Sequence, residues 1–185
     1  MILRFITSNE HKYEEIRQYL KERGIECQWV RMKYEEIQDD TTEAISLASA
    51  QYLRGKVEEP FFLEDTGLYV KELRGFPGPY SSYVLRTIGN EGILSLLKGR
   101  ERDAIFKTVI SYCENGNISQ FTGILKGRIG EYERGSSGFG FDPIFIPEGS
   151  EKSLAEMSIR EKNEHSHRIN ALRQFMEFLE NKGSA

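Results

Sequence analysis

Cysteine is almost absent: the 185-residue chain has two, Cys27 and Cys113, far apart and outside any C-x-x-C spacing. So sparse a pair excludes a disulfide framework and a Cys-based metal site, and is expected as free thiols in a reducing compartment. Also missing is an apolar run of the roughly 18–20 residues that a membrane span needs. The short stretch Met1 to Thr7 is too brief and too polar-flanked for a signal peptide. A cytoplasmic protein with no membrane partner is expected. Basic excess is lacking as well: 25 Lys and Arg stand against 29 Asp and Glu, a net charge of −4. Such a balance does not track a phosphate backbone, so no nucleic-acid partner is expected. Internal repeats, low-complexity tracts and long linkers are absent too, which excludes solenoids and bead-like domain arrays.

What remains is a globular composition. Eleven Phe and nine Tyr supply a core, and the length suits one domain over residues 1–185, organised as two lobes. The apolar run Ile2, Leu3, Phe5, Ile6 ends at Thr7-Ser8-Asn9, and Ile16 and Leu20 repeat at helical spacing within 10–23. This predicts strand, turn and helix. A second strand over 25–32 follows, then a helix capped by Thr41 or Thr42, with Ala44, Leu47, Ala48 and Tyr52 at intervals of three and four. Residues 60–63 predict a short buried strand ending at Glu64-Asp65, and Gly75 to Pro79 a rigid turn, with Pro79 in the first turn of a helix through Leu85. A short helix is expected over 92–97. Strands over 104–113 and 118–125 flank the hairpin signal Glu114-Asn115-Gly116-Asn117. A loop from Gly135 to Gly140, a strand over 144–146 and one helix over 161–181 complete an α/β chain.

Four places carry chemistry. Thr7-Ser8-Asn9 with Lys12 puts a hydroxyl, an amide and an ammonium at the positive end of a helix, where an anion is favoured; plain capping by Ser8 or Asn9 explains the turn equally. Glu64-Asp65, with the acidic stretch holding Glu36, offers carboxylates of the kind magnesium takes alongside water and phosphates, or else a structural ion pair. Ser137-Gly138-Phe139-Gly140-Phe141-Asp142 joins flexible backbone, two aromatic faces and a carboxylate, able to stack a base or to plug the core. Lys162, His165, His167 and Arg168 add donors near the last helix. Two histidines two apart point to different helix faces, which disfavours zinc.

Taken in order, TSNEHK at 7–12, YEEIQ at 34–38, EDTGL at 64–68, GFPGPYS at 75–81, GFGFDPIF at 138–145 and EKNEHSHR at 161–168 resemble the Ham1-like family, the inosine triphosphate pyrophosphatases, and archaeal members above all. The resemblance covers nearly the whole chain. It implies an elongated two-lobed fold around a long mixed sheet, a nucleotide-binding cleft, a homodimer and Mg2+ as cofactor. It also implies hydrolysis of non-canonical purine nucleoside triphosphates (ITP, dITP, XTP) to the monophosphate and pyrophosphate. By position, Thr7, Ser8, Asn9 and Lys12 match the triphosphate-binding turn, and Glu36 and Asp65 match the metal site. The resemblance implies Asp65 as the general base and Glu64 as an assisting carboxylate. Phe139, Gly140, Phe141 and Asp142 match the base pocket; Lys162, His167 and Arg168 match donors to base and phosphates; Ser81 matches a small polar residue near the metal.

The chain departs from that pattern twice. Ser8 stands where many members have glycine, and residues 42–54 contain no lysine, where many members carry one toward the phosphates. Ser46 and Ser49 cannot supply its charge. A Maf-type pyrophosphatase would show an early arginine signature that this sequence lacks, and a catalytically silent nucleotide-binding module would have no use for paired carboxylates.

Overall fold

The computed structural model describes residues 2–183. Among these the strands are β1 (Ile2–Ile6), β2 (Glu26–Val30), β3 (Phe61–Val70), β4 (Pro77–Gly78), β5 (Asp103–Glu114), β6 (Asn117–Ile129) and β7 (Phe145–Pro147). The helices are α1 (Glu10–Lys21), α2 (Thr42–Leu53), α3 (Ser81–Thr87), α4 (Gly89–Leu96), α5 (Ile159–Glu164) and α6 (His167–Gly183). The strands form one mixed sheet in the order β2-β1-β3-β5-β6-β7, with β4 paired to β3. β1 runs parallel to both β2 and β3, whereas β4 is antiparallel to β3 and β7 to β6. This is the mixed α/β architecture expected. No helix among the described residues is long and apolar enough to cross a membrane.

The chain divides into two compact units. The first takes in everything up to Asp65, then Thr108–Gly123 and the chain from Arg168 onward. Its core lies on both faces of its strands. On one, Leu3, Phe5 and Phe62 meet Ile16 and Leu20 of α1 and Phe175 of α6. Phe5 and Phe62 stack at 4.7 Å between centroids, a contact that adds about 0.5–1.5 kcal/mol beyond area burial. On the other, Ile6, Phe61 and Leu63 meet Ala50 and Leu53 of α2. The second unit, Thr66–Lys107 with Ile124–His167, has its own core, centred on Leu68, Ile93, Phe106, Phe141 and Phe145.

Local chemistry explains the boundaries. Asn9 caps α1 by accepting from the Lys12 N–H at 3.2 Å, and Thr41 caps α2 from Ala44 N–H. Asn115 and Gly116 both have positive φ, 50° and 74°, the backbone of the tightest hairpin turns. Three expectations are corrected. β3 is ten residues long, so Glu64 and Asp65 sit in mid-strand and not at a strand end. Pro77, expected in a turn, pairs with Tyr69 of β3, and α3 begins at Ser81, beyond Pro79. The single C-terminal helix is two, broken at His165-Ser166. Ser166, His167 and Arg168 are consecutive and all buried.

Candidate active site

In the first unit the turn after β1 is built as a helix start. The Thr7 hydroxyl accepts from Asn9 N–H at 3.1 Å, and the Thr7 carbonyl accepts from the Trp29 indole at 2.9 Å. The side chains of Thr7 and Asn9 therefore shape the turn, while Ser8 is exposed at its tip. One turn on, Lys12 reaches Glu64 at 2.5 Å. Glu64 also faces Arg168, whose Nε lies 3.5 Å away, and Arg168 meets Glu15 at 2.5 Å. Arg168, Glu15 and Glu64 are almost wholly buried. Two cations and two carboxylates alternate through this cluster, which is the condition under which charges survive burial.

Adjacent strand residues point to opposite faces. Phe62 packs on the α1/α6 side and Glu64 shares its side; Phe61 and Leu63 pack on the α2 side and Asp65 shares theirs. Asp65 thus points away from Glu64, yet both carboxylates lie within electrostatic reach of Tyr34, which packs on the α2 side. Burial pushes the Tyr34 hydroxyl above its usual range, and the carboxylates of Glu36, Glu64 and Asp65 raise it further, with a Ser49 hydrogen bond opposing. The carboxylates of Glu36, Glu64 and Asp65 are therefore all within electrostatic reach of one tyrosine hydroxyl, Glu64 buried, Asp65 half-buried and Glu36 exposed. Among the described residues no group of three or more His, Cys, Asp or Glu is disposed to hold a metal. A closed protein cage is not what this donor set fits. Two oxygen donors with room for water and phosphate are what magnesium takes.

The second unit carries the other cluster. Asp142, buried, accepts at one oxygen from both the Phe139 N–H (2.8 Å) and the Lys162 ammonium (2.7 Å). Lys162 also lies 4.7 Å from the centroid of the half-buried Phe139 ring. Gly138 has φ +75°, and a Cβ there would lie 2.3 Å from the Asp142 carboxylate, so only glycine lets the loop close over it. The Gly140 carbonyl accepts from the Asn90 amide at 3.4 Å. Lys162 is delivered by α5, which Ser158 and Glu161 start with a reciprocal capping box.

Phe139, Gly140, Asp142 and Lys162 thus come together. The other members take different places. Phe141 is part of the second unit's core, the role of a plug. The Ser81 hydroxyl donates to Gly78 carbonyl at 2.7 Å and accepts from Leu68 N–H at 2.8 Å, tying α3 to the β3–β4 turn. His167 stacks on Phe106 at 4.7 Å, buried, and His165 is the cap of α5. Sequence reasoning missed Glu15 and Tyr34. Glu15 was visible as a carboxylate beside Ile16 and four residues before Tyr19 on the buried stripe of α1. Tyr34 stands two residues before Glu36, and the alternation Val30-Arg31-Met32-Lys33-Tyr34-Glu35 is the signal that could have marked it as inward-facing.

A mixed-sheet α/β fold with cations on Glu64, further carboxylates at Glu36 and Asp65 and an aromatic-carboxylate loop has the side chains a nucleotide-handling protein needs, and the relatives of this chain are of that class. The Ham1 family model matches residues 3–178, and the chain belongs to that family. It is 51% identical over 180 residues to the dITP/XTP pyrophosphatase of Thermococcus kodakarensis, covering 97% of each chain. It is 52% identical over 176 residues to that of Pyrococcus horikoshii, covering 95% of each. Among solved structures it superposes on a HAM1 protein from Coxiella burnetii with a TM-score of 0.85 at 26% identity, covering 98% of this chain and 99% of that one. The Ham1 protein of Staphylococcus aureus gives 0.81 at 26% identity, with 98% and 100% covered.

Proposed function

We propose that the chain is a cytoplasmic, magnesium-dependent pyrophosphatase of ITP, dITP and XTP, releasing the nucleoside monophosphate and pyrophosphate. The observation that carries the reading is the meeting at β3 of two cations, half-buried Lys12 and buried Arg168 on Glu64, with the carboxylates of Glu36, Glu64 and Asp65 around Tyr34. The activity for which the relatives from Thermococcus kodakarensis and Pyrococcus horikoshii are named, dITP/XTP pyrophosphatase, supports it.

In this reading Lys12 and Arg168, with the Thr7-Ser8-Asn9 turn, take the triphosphate at the start of α1. Glu36 and Asp65 hold the metal, which supplies charge neutralisation on the phosphates. Glu64 acts by anchoring the two cations. Asp65 accepts the proton of the water that attacks the α-phosphorus, and the bond to the pyrophosphate group breaks. Phosphoryl transfer leaves little covalent work to the protein, so positioning and electrostatics carry the rate.

Phe139 offers a face for a purine, and Asp142 and Lys162 fix the loop that presents it. A 6-oxo purine presents an acceptor to donors such as the Lys162 ammonium, whereas adenine presents an amino donor. A donor left facing a donor loses its hydrogen bond, which discriminates by about 10⁴ or more in sites built this way. His167 and Ser81 act here as supports of that unit. The working form is a homodimer, and nucleic acid and membranes are not partners.

The test is pyrophosphate release from ITP, XTP, dITP, GTP, ATP and dTTP, with magnesium and with chelator. Metal-dependent turnover of ITP, dITP and XTP with ATP and dTTP nearly untouched is the expected result. Activity confined to dTTP, or turnover indifferent to chelator, would refute the reading.

A further inference from the structure

The chain has one tryptophan, Trp29 of β2, and the reading above gives it no part in the reaction. β2 lies at the edge of the sheet, parallel to β1, with Trp29 beside Phe5 and Val30 beside Ile6. Just past the last of these pairs the Thr7 N–H still donates to the Val30 carbonyl, at 3.3 Å. The Thr7 carbonyl has left the ladder, and the Trp29 indole N–H donates to it at 2.9 Å. The indole is itself held in place. Its ring stacks on that of Tyr13 in α1, with centroids 4.5 Å apart and planes 13° from parallel, and the Tyr13 hydroxyl donates to the Cys27 carbonyl at 3.2 Å.

The Thr7 carbonyl and the Ser8 N–H belong to one peptide group. That bond is trans, and in a planar trans peptide the C=O and the N–H point in opposite directions. A carbonyl drawn to Trp29 therefore turns the Ser8 N–H away from the indole. Of the three N–H groups in the turn, that of Thr7 goes to Val30 and that of Asn9 to the Thr7 hydroxyl. Among the described residues the Ser8 N–H donates to no protein acceptor, and Ser8 is exposed. The indole also acts electronically: a donor on the carbonyl polarises the peptide and makes its N–H the stronger donor.

We propose that Trp29 is a positioning residue for the triphosphate turn: its indole N–H holds the Thr7 carbonyl so that the Ser8 N–H is aimed at a phosphate oxygen. The inference rests on the reading of the Thr7-Ser8-Asn9 turn given above. Trp29 itself touches no phosphate. The proposal also accounts for a serine where many family members have glycine, since the group used at position 8 is the backbone amide, which both residues carry.

The experiment compares wild type with Trp29→Phe, which keeps a ring against Tyr13 and removes the donor, and with Tyr13→Phe, which removes a different bond between α1 and β2 and leaves the indole. The probe is inorganic tripolyphosphate, with magnesium and with chelator. Affinity is read by calorimetry, and the Ser8 amide and Trp29 indole protons by NMR of 15N-labelled protein. Trp29→Phe is expected to bind about three- to tenfold more weakly, the scale of one neutral hydrogen bond, and Tyr13→Phe as tightly as wild type. In wild type both protons are expected to move downfield together on saturation, because an anion on the Ser8 N–H makes the Thr7 carbonyl a better acceptor. Wild-type affinity in Trp29→Phe would overturn the proposal, as would an equal loss in Tyr13→Phe. So would an indole proton that stays still while the Ser8 amide moves, a result that needs no variant to fold. Wild-type protein that binds no tripolyphosphate in either buffer, or binds it without moving the Ser8 amide, would sink the reading of the turn and the proposal with it, an outcome the wild-type arm alone distinguishes.

Discussion

The two units solve the burial of charge differently. In the first, Glu15, Arg168, Glu64 and Lys12 alternate in sign across α1, β3 and the start of α6, and Arg168 stands between two carboxylates. In the second, one lysine meets one aspartate, and the same aspartate oxygen also takes a backbone N–H. The first arrangement is a network whose members depend on one another. The second is a single pair fastened to its own loop. For the phosphate chain proposed at the first unit, carboxylates hold Arg168 and Lys12 in place in advance. Where a base must be stacked, what needs fixing is the loop beneath the ring.

The sharpest way to break the comparison is at the catalytic face. Asp65→Asn should lower kcat by at least about 10²–10³ while leaving the melting temperature near wild type; near-normal turnover would remove Asp65 from its role. Next comes Arg168→Met, which leaves Glu15 and Glu64 buried with one cation between them. A loss of about 3–5 kcal/mol is expected by chemical denaturation, the range for stranding a buried charge. Adding Glu15→Gln should restore much of it, since the remaining Lys12–Glu64 pair is balanced. Lys162→Met should cost less, about 1–3 kcal/mol, because Asp142 keeps its N–H donor, and its larger effect should be on selectivity: the ratio of ITP to ATP turnover falls. Equal losses at Arg168 and Lys162 would erase the distinction between network and pair. The smallest effect concerns Cys27, whose thiol burial pushes up to about 12. Since the thiolate is the nucleophile, a raised value keeps the thiol protonated at pH 8. Native protein should be alkylated there far more slowly than unfolded protein, as read by mass spectrometry.

How much of this was legible in the sequence depended on whether a side chain's local pattern matched its use. The β1–α1 turn, the α2 cap and the Asn115-Gly116 hairpin were readable because capping and positive-φ chemistry are set by the residues themselves. The full length of β3 was not, since Glu64-Asp65-Thr66-Gly67 has the look of a turn; in the fold the polar run is accommodated by cations on one side and by Ser81 bonding Leu68 N–H on the other half of the strand. The break before α6 was hidden for the opposite reason. Lys162 to Arg168 suits a helix locally, yet α5 ends at Glu164 and α6 begins at His167. Of the charged clusters, motifs singled out Lys12, Glu64 and Arg168 in the first and Asp142 and Lys162 in the second, but not Glu15. Its partner Arg168 lies 153 positions away.

β3 places Glu64 and Asp65 by parity alone, so their tasks are assigned by odd and even position and not by the difference between a glutamate and an aspartate. Deleting the one residue between Phe61 and Leu63 would bring the aspartate to the place that faces Lys12 and Arg168 and turn the glutamate to the opposite side. Exchanging the two letters in place, by contrast, would leave a carboxylate on each side and change only its reach by one methylene. The strand is tolerant of spelling and intolerant of a shifted reading frame.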